Sequence, residues 1–301
     1  MGPSRRDLLA GLAIAVAGQA IAQEQPKRGQ ERAEIIDDPR VSHFDIGPKD
    51  KLWRIFVGLP KAPPPPEGYS AIVSVDGNAT FPLLWRHREA LAPNAPIVLI
   101  GVGYVIATRM DRSRRWYDLT SAALPGQIPA RFRAEEHIKT GGNTAFLRLI
   151  TDRVLPEVAK NAPLDRSKMT LFGHSLGGLF TLNALFTRPE SFANYVAGDP
   201  SVWWKQGEAI DQAIAFAGGI HAAGATVAPP LNLLLSRSGI VTDAHANSPL
   251  ADLPQMVETL HGIEGLSVSY RTHPDETHGS LMNVSAQEAV ELHAGLYRDQ
   301  I

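Results

Sequence analysis

The sequence predicts an α/β fold in which a mostly parallel central sheet is flanked by helices. Short apolar runs alternate with segments of helical periodicity along the chain, which is the pattern of such a sheet. The 301 residues are 44% hydrophobic, enough for a large core, and only 20% are charged. The formal net charge of -2 gives no general attraction to polyphosphate, so a dedicated nucleic-acid-binding protein is not expected. The lack of cysteine excludes disulfides, thiolate metal sites and a cysteine nucleophile.

The first 22 residues have the pattern of an export signal. Arg5 and Arg6 form a twin-arginine pair ahead of an apolar stretch, and Ala20-Ile21-Ala22 offers small residues to a signal peptidase. The apolar stretch from Leu8 to Ala22 has 15 residues, whereas a bilayer span needs about 20. We therefore predict a twin-arginine signal peptide over residues 1–22, a periplasmic mature protein and no stable membrane span. A buried N-terminal helix is the alternative.

The remainder of the chain divides into a short polar segment and one large domain. Residues 23–40 are rich in Gln, Glu, Lys and Arg, which predicts a flexible tether. Residues 41–301 are predicted to form one catalytic domain. Its candidate strands are Trp53 to Leu59, Ala71 to Val75, Ile97 to Val102, Met169 to Phe172, Tyr195 to Ala197, Leu231 to Leu235 and Leu266 to Tyr270.

Helical spacing fills several intervals between these strands. Apolar residues recur every four positions from Phe146 to Val158, and Pro156 predicts a kink near the end of that helix. A second apolar face follows Gly177, and a terminal helix is expected around residues 286–296. The segment from Tyr104 to Thr140 lacks clear periodicity and carries seven Arg or Lys against four Asp or Glu. It is either a solvated loop or an anion-attracting rim of the active site.

A Gly-x-Ser-x-Gly sequence marks the candidate nucleophile. Gly173-His174-Ser175-Leu176-Gly177 follows a predicted strand and precedes a predicted helix. A nucleophile elbow needs glycines around its tight turn, so that a strained serine can project its hydroxyl above the sheet. Ser175 is therefore the predicted nucleophile, and the alternative is an ordinary helix N-cap.

A serine nucleophile needs a general base, and His278 is the best candidate. In the order serine, acid, histidine, the base follows the last strand, and His278 lies between that strand and the terminal helix. His273 is the rival, five residues earlier. His174 is expected to line the site or to pack under it.

The acid and the oxyanion donors are predicted from chain order as well. Asp243 is the first carboxylate after the strand Leu231 to Leu235 and is the predicted acid, with Asp252 second. Glu276 is a local substitute, and a two-residue Ser-His mechanism is also open. The backbone N–H groups of Leu176 and Asn78 are the predicted oxyanion donors. Asp76-Gly77-Asn78 would otherwise be a plain turn.

Taken together, the chain resembles the esterase branch of the α/β-hydrolases, and most of all the periplasmic siderophore esterases that open enterobactin-type trilactones. The resemblance covers about residues 41–296 and implies an α/β-hydrolase fold. Its elements are Asp76-Gly77-Asn78, Gly101-Val102-Gly103-Tyr104, Arg115-Trp116-Tyr117-Asp118-Leu119-Thr120, Gly141-Gly142, the Phe172 to Phe180 elbow, Asp199-Pro200-Ser201-Val202-Trp203-Trp204 and Glu276-Thr277-His278-Gly279-Ser280.

This resemblance implies a small-molecule ester substrate, in particular a ferric catecholate siderophore. Arg115 would attract the anionic substrate, while Trp203 or Trp204 would stack on its rings, unless the tryptophans only pack beneath the site. The expected enzyme is a serine esterase working through an acyl-enzyme, with no metal or organic cofactor. An acyltransferase using the same Ser-His site and a non-catalytic siderophore-binding protein are the competing interpretations.

Overall fold

A computed structural model of the chain describes residues 31–128, 138–240 and 253–298. Its central feature is an eight-stranded sheet. The strands are β1 Val41–Ile46, β2 Trp53–Gly58, β3 Tyr69–Val75, β4 Ile97–Tyr104, β5 Leu164–His174, β6 Asn194–Gly198, β7 Leu231–Ile240 and β8 Leu266–Thr277. Their order in the sheet is β1-β2-β4-β3-β5-β6-β7-β8. The first two strands pair antiparallel, β2 pairs antiparallel with β4, and all other pairs are parallel. The predicted α/β architecture with a mostly parallel sheet is confirmed.

All seven predicted strands overlap observed ones, and β1 is the strand that the sequence analysis missed. The run Val41–Ile46 mixes apolar residues with His43 and Asp45, and its burial is only partial. It lies at the sheet edge, where one neighbour and one solvated face relax the demand for apolar residues. By contrast, every residue of β4 is buried, which explains why its continuous apolar run was easy to identify.

Helices cover both faces of the sheet. They are α1 Gly77–Leu91, α2 Arg114–Leu119, α3 Asn143–Leu149, α4 Leu155–Ala159, α5 Leu176–Thr187, α6 Glu208–Ala223, α7 Leu253–Leu260 and α8 Leu281–His293, with short 3-10 turns at Pro125–Gln127, Pro189–Ser191 and Trp204–Gln206. The α1 and α8 helices pack on one face, and α3 to α7 pack on the other. Among the described residues, no helix is long and apolar enough to cross a membrane.

The predicted kink near Pro156 takes the form of a π-helical turn. Residues Ile150–Val154 are π-helical and join α3 to α4, so that Pro156 stands at the start of a new α-helical segment. Proline has no N–H to donate and its ring crowds the carbonyl four residues earlier. A wider turn just before the proline relieves both problems without breaking the helix.

The polar segment ahead of β1 lies against the domain over its second half. Arg32 forms an isolated bridge with Thr108, and Arg40 pairs with Glu89 at 2.8 Å. Residues 31–40 therefore contact the domain and do not form the predicted flexible tether. The signal peptide prediction and residues 23–30 lie outside the described residues.

Candidate active site

Ser175 occupies a strained turn between β5 and α5. Its φ of 61° is positive, a region that non-glycine residues rarely adopt. A β-carbon at Gly173 would overlap the backbone of Gly177, so only glycine permits this turn. The Ser175 N–H donates to the carbonyl of Gly198 at 2.9 Å, which ties the turn to β6. The local sequence thus folds as a nucleophile elbow, and the Ser175 hydroxyl lies at the C-terminal ends of the parallel strands.

The structure brings His278 to this hydroxyl. His278 follows β8, and its Nε2 lies 3.0 Å from Ser175 Oγ. The rival His273 has a different partner, because its Nε2 lies 3.0 Å from Glu288 Oε1. Of the two candidate bases, only His278 is within hydrogen-bonding distance of the candidate nucleophile.

The carboxylate next to His278 is Asp199, which the sequence analysis did not single out as an acid. Asp199 Oδ2 lies 2.7 Å from His278 Nδ1, and Ser238 donates to the same oxygen at 2.6 Å. Burial by itself would raise the pKa of Asp199, but the hydrogen bonds from His278 and Ser238 outweigh it and hold this pKa below its ordinary value. The carboxylate is therefore ionised at neutral pH.

The predicted acids were carboxylates of the loop after β7, with Glu276 as a local substitute. Glu276 lies within β8, and the carboxylate bonded to His278 Nδ1 is Asp199. Asp199 directly follows β6, at a turn where its φ is 38°. Asp243 and Asp252 lie outside the described residues, so their positions relative to His278 stay untested. The sequence did contain a signal for Asp199. This carboxylate comes two residues after the predicted strand Tyr195 to Ala197, which is the next predicted strand along the chain after the nucleophile strand.

The predicted oxyanion donors lie at the starts of two helices that follow neighbouring strands. Leu176 begins α5 and Asn78 is the second residue of α1, and the strands before them, β5 and β3, are neighbours. The first N–H groups of a helix have no partner within it and can point at an anion. The Asn78 side chain holds its turn by donating to the Tyr104 carbonyl at 3.0 Å and accepting from the Tyr104 N–H at 2.7 Å. The roles of both donors remain predictions.

Arg115 is engaged inside the protein, which corrects its interpretation as an open substrate-binding cation. Its guanidinium binds both carboxylate oxygens of Asp76, at 2.7 and 3.1 Å, and its side chain is only 11% exposed. Burial alone would lower the pKa of Arg115, but Asp76 outweighs it and raises this pKa. Because Asp76 precedes α1, the ion pair fixes the turn that presents Asn78.

We expect Arg115→Met to lower the free energy of unfolding by about 3–5 kcal/mol, because it leaves Asp76 buried without its partner. Urea unfolding of the two proteins measures the difference. Arg112→Met is the matched control, since Arg112 is exposed. Equal losses in both variants would show that the ion pair does not stabilise the turn.

Two of the other three described arginines of the basic segment, Arg109 and Arg114, also have partners. Arg109 pairs with Glu31, and the Arg114 guanidinium lies 4.9 Å from the centre of the Trp53 ring. Arg112 is exposed. Residues 129–137, which carry two further arginines, lie outside the described residues. Within the described part, the segment therefore acts largely as structure, and Arg112 is the arginine left for an anion-attracting rim.

The two tryptophans after Ser201 differ in burial. Trp204 is fully buried and donates from Nε1 to Ser121 Oγ at 3.0 Å, so its interpretation as a stacking residue is wrong. Trp203 is partly exposed, with its ring edge-on to Trp116 at a centroid distance of 6.3 Å. Trp203 stays the predicted aromatic contact for substrate, supported from beneath by two packed tryptophans.

The chain matches a family model described as "Putative esterase" over residues 50–225. The ferri-bacillibactin esterase BesA of Bacillus subtilis (strain 168) is 33% identical over 184 residues, which cover 59% of this chain and 63% of that protein. The apo-salmochelin esterase of Escherichia coli O6:H1 is 26% identical over 260 residues, covering 82% of this chain and 76% of that protein.

Solved structures show the same similarity. The crystal structure of the BES protein from Bacillus cereus aligns with a TM-score of 0.73 at 26% identity, covering 87% of this chain and 98% of that chain. This chain spans only 63%, 52% and 48% of the lengths of three curated siderophore-esterase relatives. Because the family model matches more than half of the chain, and because the elbow and its histidine are in place, the chain belongs to the Esterase family.

Proposed function

We propose that this protein is a serine esterase that hydrolyses carboxylic esters through an acyl-enzyme, with siderophore trilactones as its substrate class. The observation that carries the reaction is the hydrogen-bonded line from Ser175 Oγ through His278 to Asp199. Nucleophile, base and orienting acid are all within hydrogen-bonding distance of their partners, as acyl transfer by serine requires. The similarity to a ferri-bacillibactin esterase and an apo-salmochelin esterase supports the substrate class.

The first half of the reaction forms the acyl-enzyme. Ser175 Oγ attacks the ester carbonyl carbon while His278 Nε2 accepts its proton. Asp199 accepts the hydrogen bond from Nδ1–H, which fixes the tautomer that leaves Nε2 free as a base, and stabilises the imidazolium that forms. The carbonyl oxygen, now negative, is held by the N–H groups of Leu176 and Asn78. Collapse of the intermediate breaks the ester bond, and His278 gives its proton to the leaving alkoxide.

The second half repeats these steps with water. His278 removes a proton from water as the oxygen attacks the acyl carbon, and the same imidazolium then protonates Ser175 Oγ as the acid leaves. No step consumes a metal or an organic cofactor. For a trilactone, the first turnover opens the ring, and further turnovers shorten the linear product.

The proposed location is the periplasm, reached by the twin-arginine route. The pattern of Arg5 and Arg6 before a short apolar stretch supports it. The absence of cysteine is compatible with export, because a protein without cysteine folds in the periplasm without forming disulfides.

Mass spectrometry of reaction products tests the proposal. The purified protein is incubated with a metal-free catecholate trilactone, with its ferric complex, and with a simple aryl ester. We expect linear trimer, dimer or monomer from the trilactone. Turnover of the aryl ester alone would contradict the siderophore substrate but keep the esterase. Acceptor-dependent ester products in the presence of an added alcohol, in place of free acid, would show an acyltransferase. Tight trilactone binding with no turnover of any ester would show a binding protein.

A further inference from the structure

His174, the residue before the nucleophile, lies buried beneath the catalytic histidine. It is the last residue of β5 and is 2% exposed. Both of its ring nitrogens lack a hydrogen-bond partner among the described residues, and neither reaches solvent. The contact that its ring does make is with His278, at a centroid distance of 4.8 Å and an interplanar angle of 42°.

This environment is unfavourable for a histidine as a purely structural residue. Burial of polar atoms without partners destabilises a fold, and an apolar side chain of similar size would avoid that cost. A partly buried histidine shows the usual solution, because His293 Nδ1 lies 2.8 Å from Thr170 Oγ1 and its Nε2 lies 2.9 Å from Ser70 Oγ. His174 has no side-chain partner of this kind among the described residues, and the polar group that acts on its ring by hydrogen bonding is the backbone of His278. Stability alone therefore does not account for an imidazole at this position.

His174 is a neutral ring at neutral pH. Burial above all, and then the charge of the neighbouring His278, lower the pKa of His174 to about 3. Arg115 adds to this effect, while Asp199 and the His278 backbone oppose it. The backbone of β6 also packs against this ring, because a β-carbon at Gly198 would lie 3.2 Å from His174 Nδ1.

The contact adds a restraint on His278 to its two hydrogen bonds. Bonds at Nδ1 and Nε2 act in the plane of the His278 ring and oppose rotation about the line joining those two atoms only weakly. The His174 ring, inclined at 42° to the His278 ring, opposes that rotation by packing against it. The same surface meets the positive charge that His278 carries during each turnover, and a neutral aromatic ring accommodates a cation well.

We infer that His174 is a positioning residue, a neutral aromatic wall that holds the His278 ring in the plane for proton transfer and faces the imidazolium as it forms. The inference rests on the proposed role of His278 as the base. It concerns a residue that never touches the substrate carbonyl and acts only through His278.

Steady-state kinetics across pH on an aryl ester, together with thermal unfolding, test the inference with two variants. His174→Leu removes the ring and its nitrogens, and His174→Phe keeps an aromatic face. We expect His174→Leu to unfold at no lower temperature than the parent, yet to lose about 10- to 100-fold in kcat with KM unchanged. The acid limb of its kcat profile moves to lower pH, because the imidazolium that forms in each turnover loses its aromatic neighbour. His174→Phe retains more kcat than His174→Leu.

His293→Leu is the control, since it removes a partly buried imidazole far along the chain from the elbow. It lowers the unfolding temperature because the hydroxyls of Thr170 and Ser70 each lose one hydrogen-bond partner, and it leaves kcat and the pH profile unchanged. A His174→Leu protein with parental kcat and pH profile would reduce His174 to a space filler and overturn the inference.

A measurement on the parent protein covers the case in which the His174 variants do not fold. In ¹⁵N-edited spectra of the histidine rings, His174 stays neutral from pH 5 to 9, and its signals shift at the pH where His278 titrates. His174 signals that ignore the His278 titration contradict the inference. Labelling of Ser175 by an organophosphate is tested in parallel. An unlabelled parent protein would contradict the proposed function, whereas a labelled parent with an inert His174 contradicts only the role of His174.

Discussion

Ser175→Ala is expected to lower kcat for ester hydrolysis about a millionfold, and His278→Ala is expected to cost nearly as much. The hydroxyl and the imidazole act as a unit, since the base has no function without the proton it removes. The double variant should therefore be no slower than either single one. Steady-state kinetics on an aryl ester, with enzyme at high concentration, measure all three rates.

Ser201 supplies the matched control for this prediction. Its hydroxyl is 3% exposed and lies 3.3 Å from Ser175 Oγ, so it is the neighbouring serine that could act in its place. Ser201→Ala should lose far less than a thousandfold in kcat. If Ser201→Ala were inactive while Ser175→Ala kept most of its rate, the nucleophile would be Ser201.

Asp199→Asn is expected to lower kcat by about 10⁴, although the side chain keeps its shape. An asparagine can present an N–H to His278 Nδ1, which stabilises the tautomer with its proton on Nε2 and removes the base from Ser175. The imidazolium would also lose its neighbouring negative charge. Kinetics on an aryl ester, with KM compared separately, measure the effect.

Asp243→Asn is the control for Asp199→Asn, because it alters the acid that chain order predicts. It should keep parental kcat. A large loss of kcat in Asp243→Asn and a small one in Asp199→Asn would show that Asp243 is the acid, as chain order predicts. Equal and small losses would favour a two-residue Ser-His mechanism.

The lowered pKa of Asp199 also predicts how the stability of the parent protein and of Asp199→Asn depends on pH. A carboxyl whose pKa is lower in the folded state stabilises the fold at pH values above the unfolded pKa, and this stabilisation is lost as pH falls through the folded pKa. The free energy of unfolding of the parent should therefore decline more steeply below about pH 4 than that of Asp199→Asn. Urea unfolding across this range measures both slopes.

Patterns that are local in the chain predicted most of the fold. Buried parallel strands read as continuous apolar runs, and the Gly-x-Ser-x-Gly turn needs its glycines next to the serine, so both are visible in a few residues. The edge strand β1 was not predicted, because a partly buried strand tolerates polar residues among its apolar ones and so shows no continuous apolar run. The kink at Pro156 was predicted, but the π-helical turn that produces it was not, because the choice depends on how the helix packs.

The sequence by itself therefore determined the strand and helix pattern, the nucleophile elbow and, through chain order, the histidine after the last strand. Only the tertiary structure decided which side chains meet. Asp199 and His278 are 79 residues apart, and Arg115 and Asp76 are 39 apart, yet each pair lies within 2.7 Å. Such pairs form where the ends of non-consecutive strands and helices converge, and the distances between those ends follow from sheet order and packing, which no short stretch of sequence encodes.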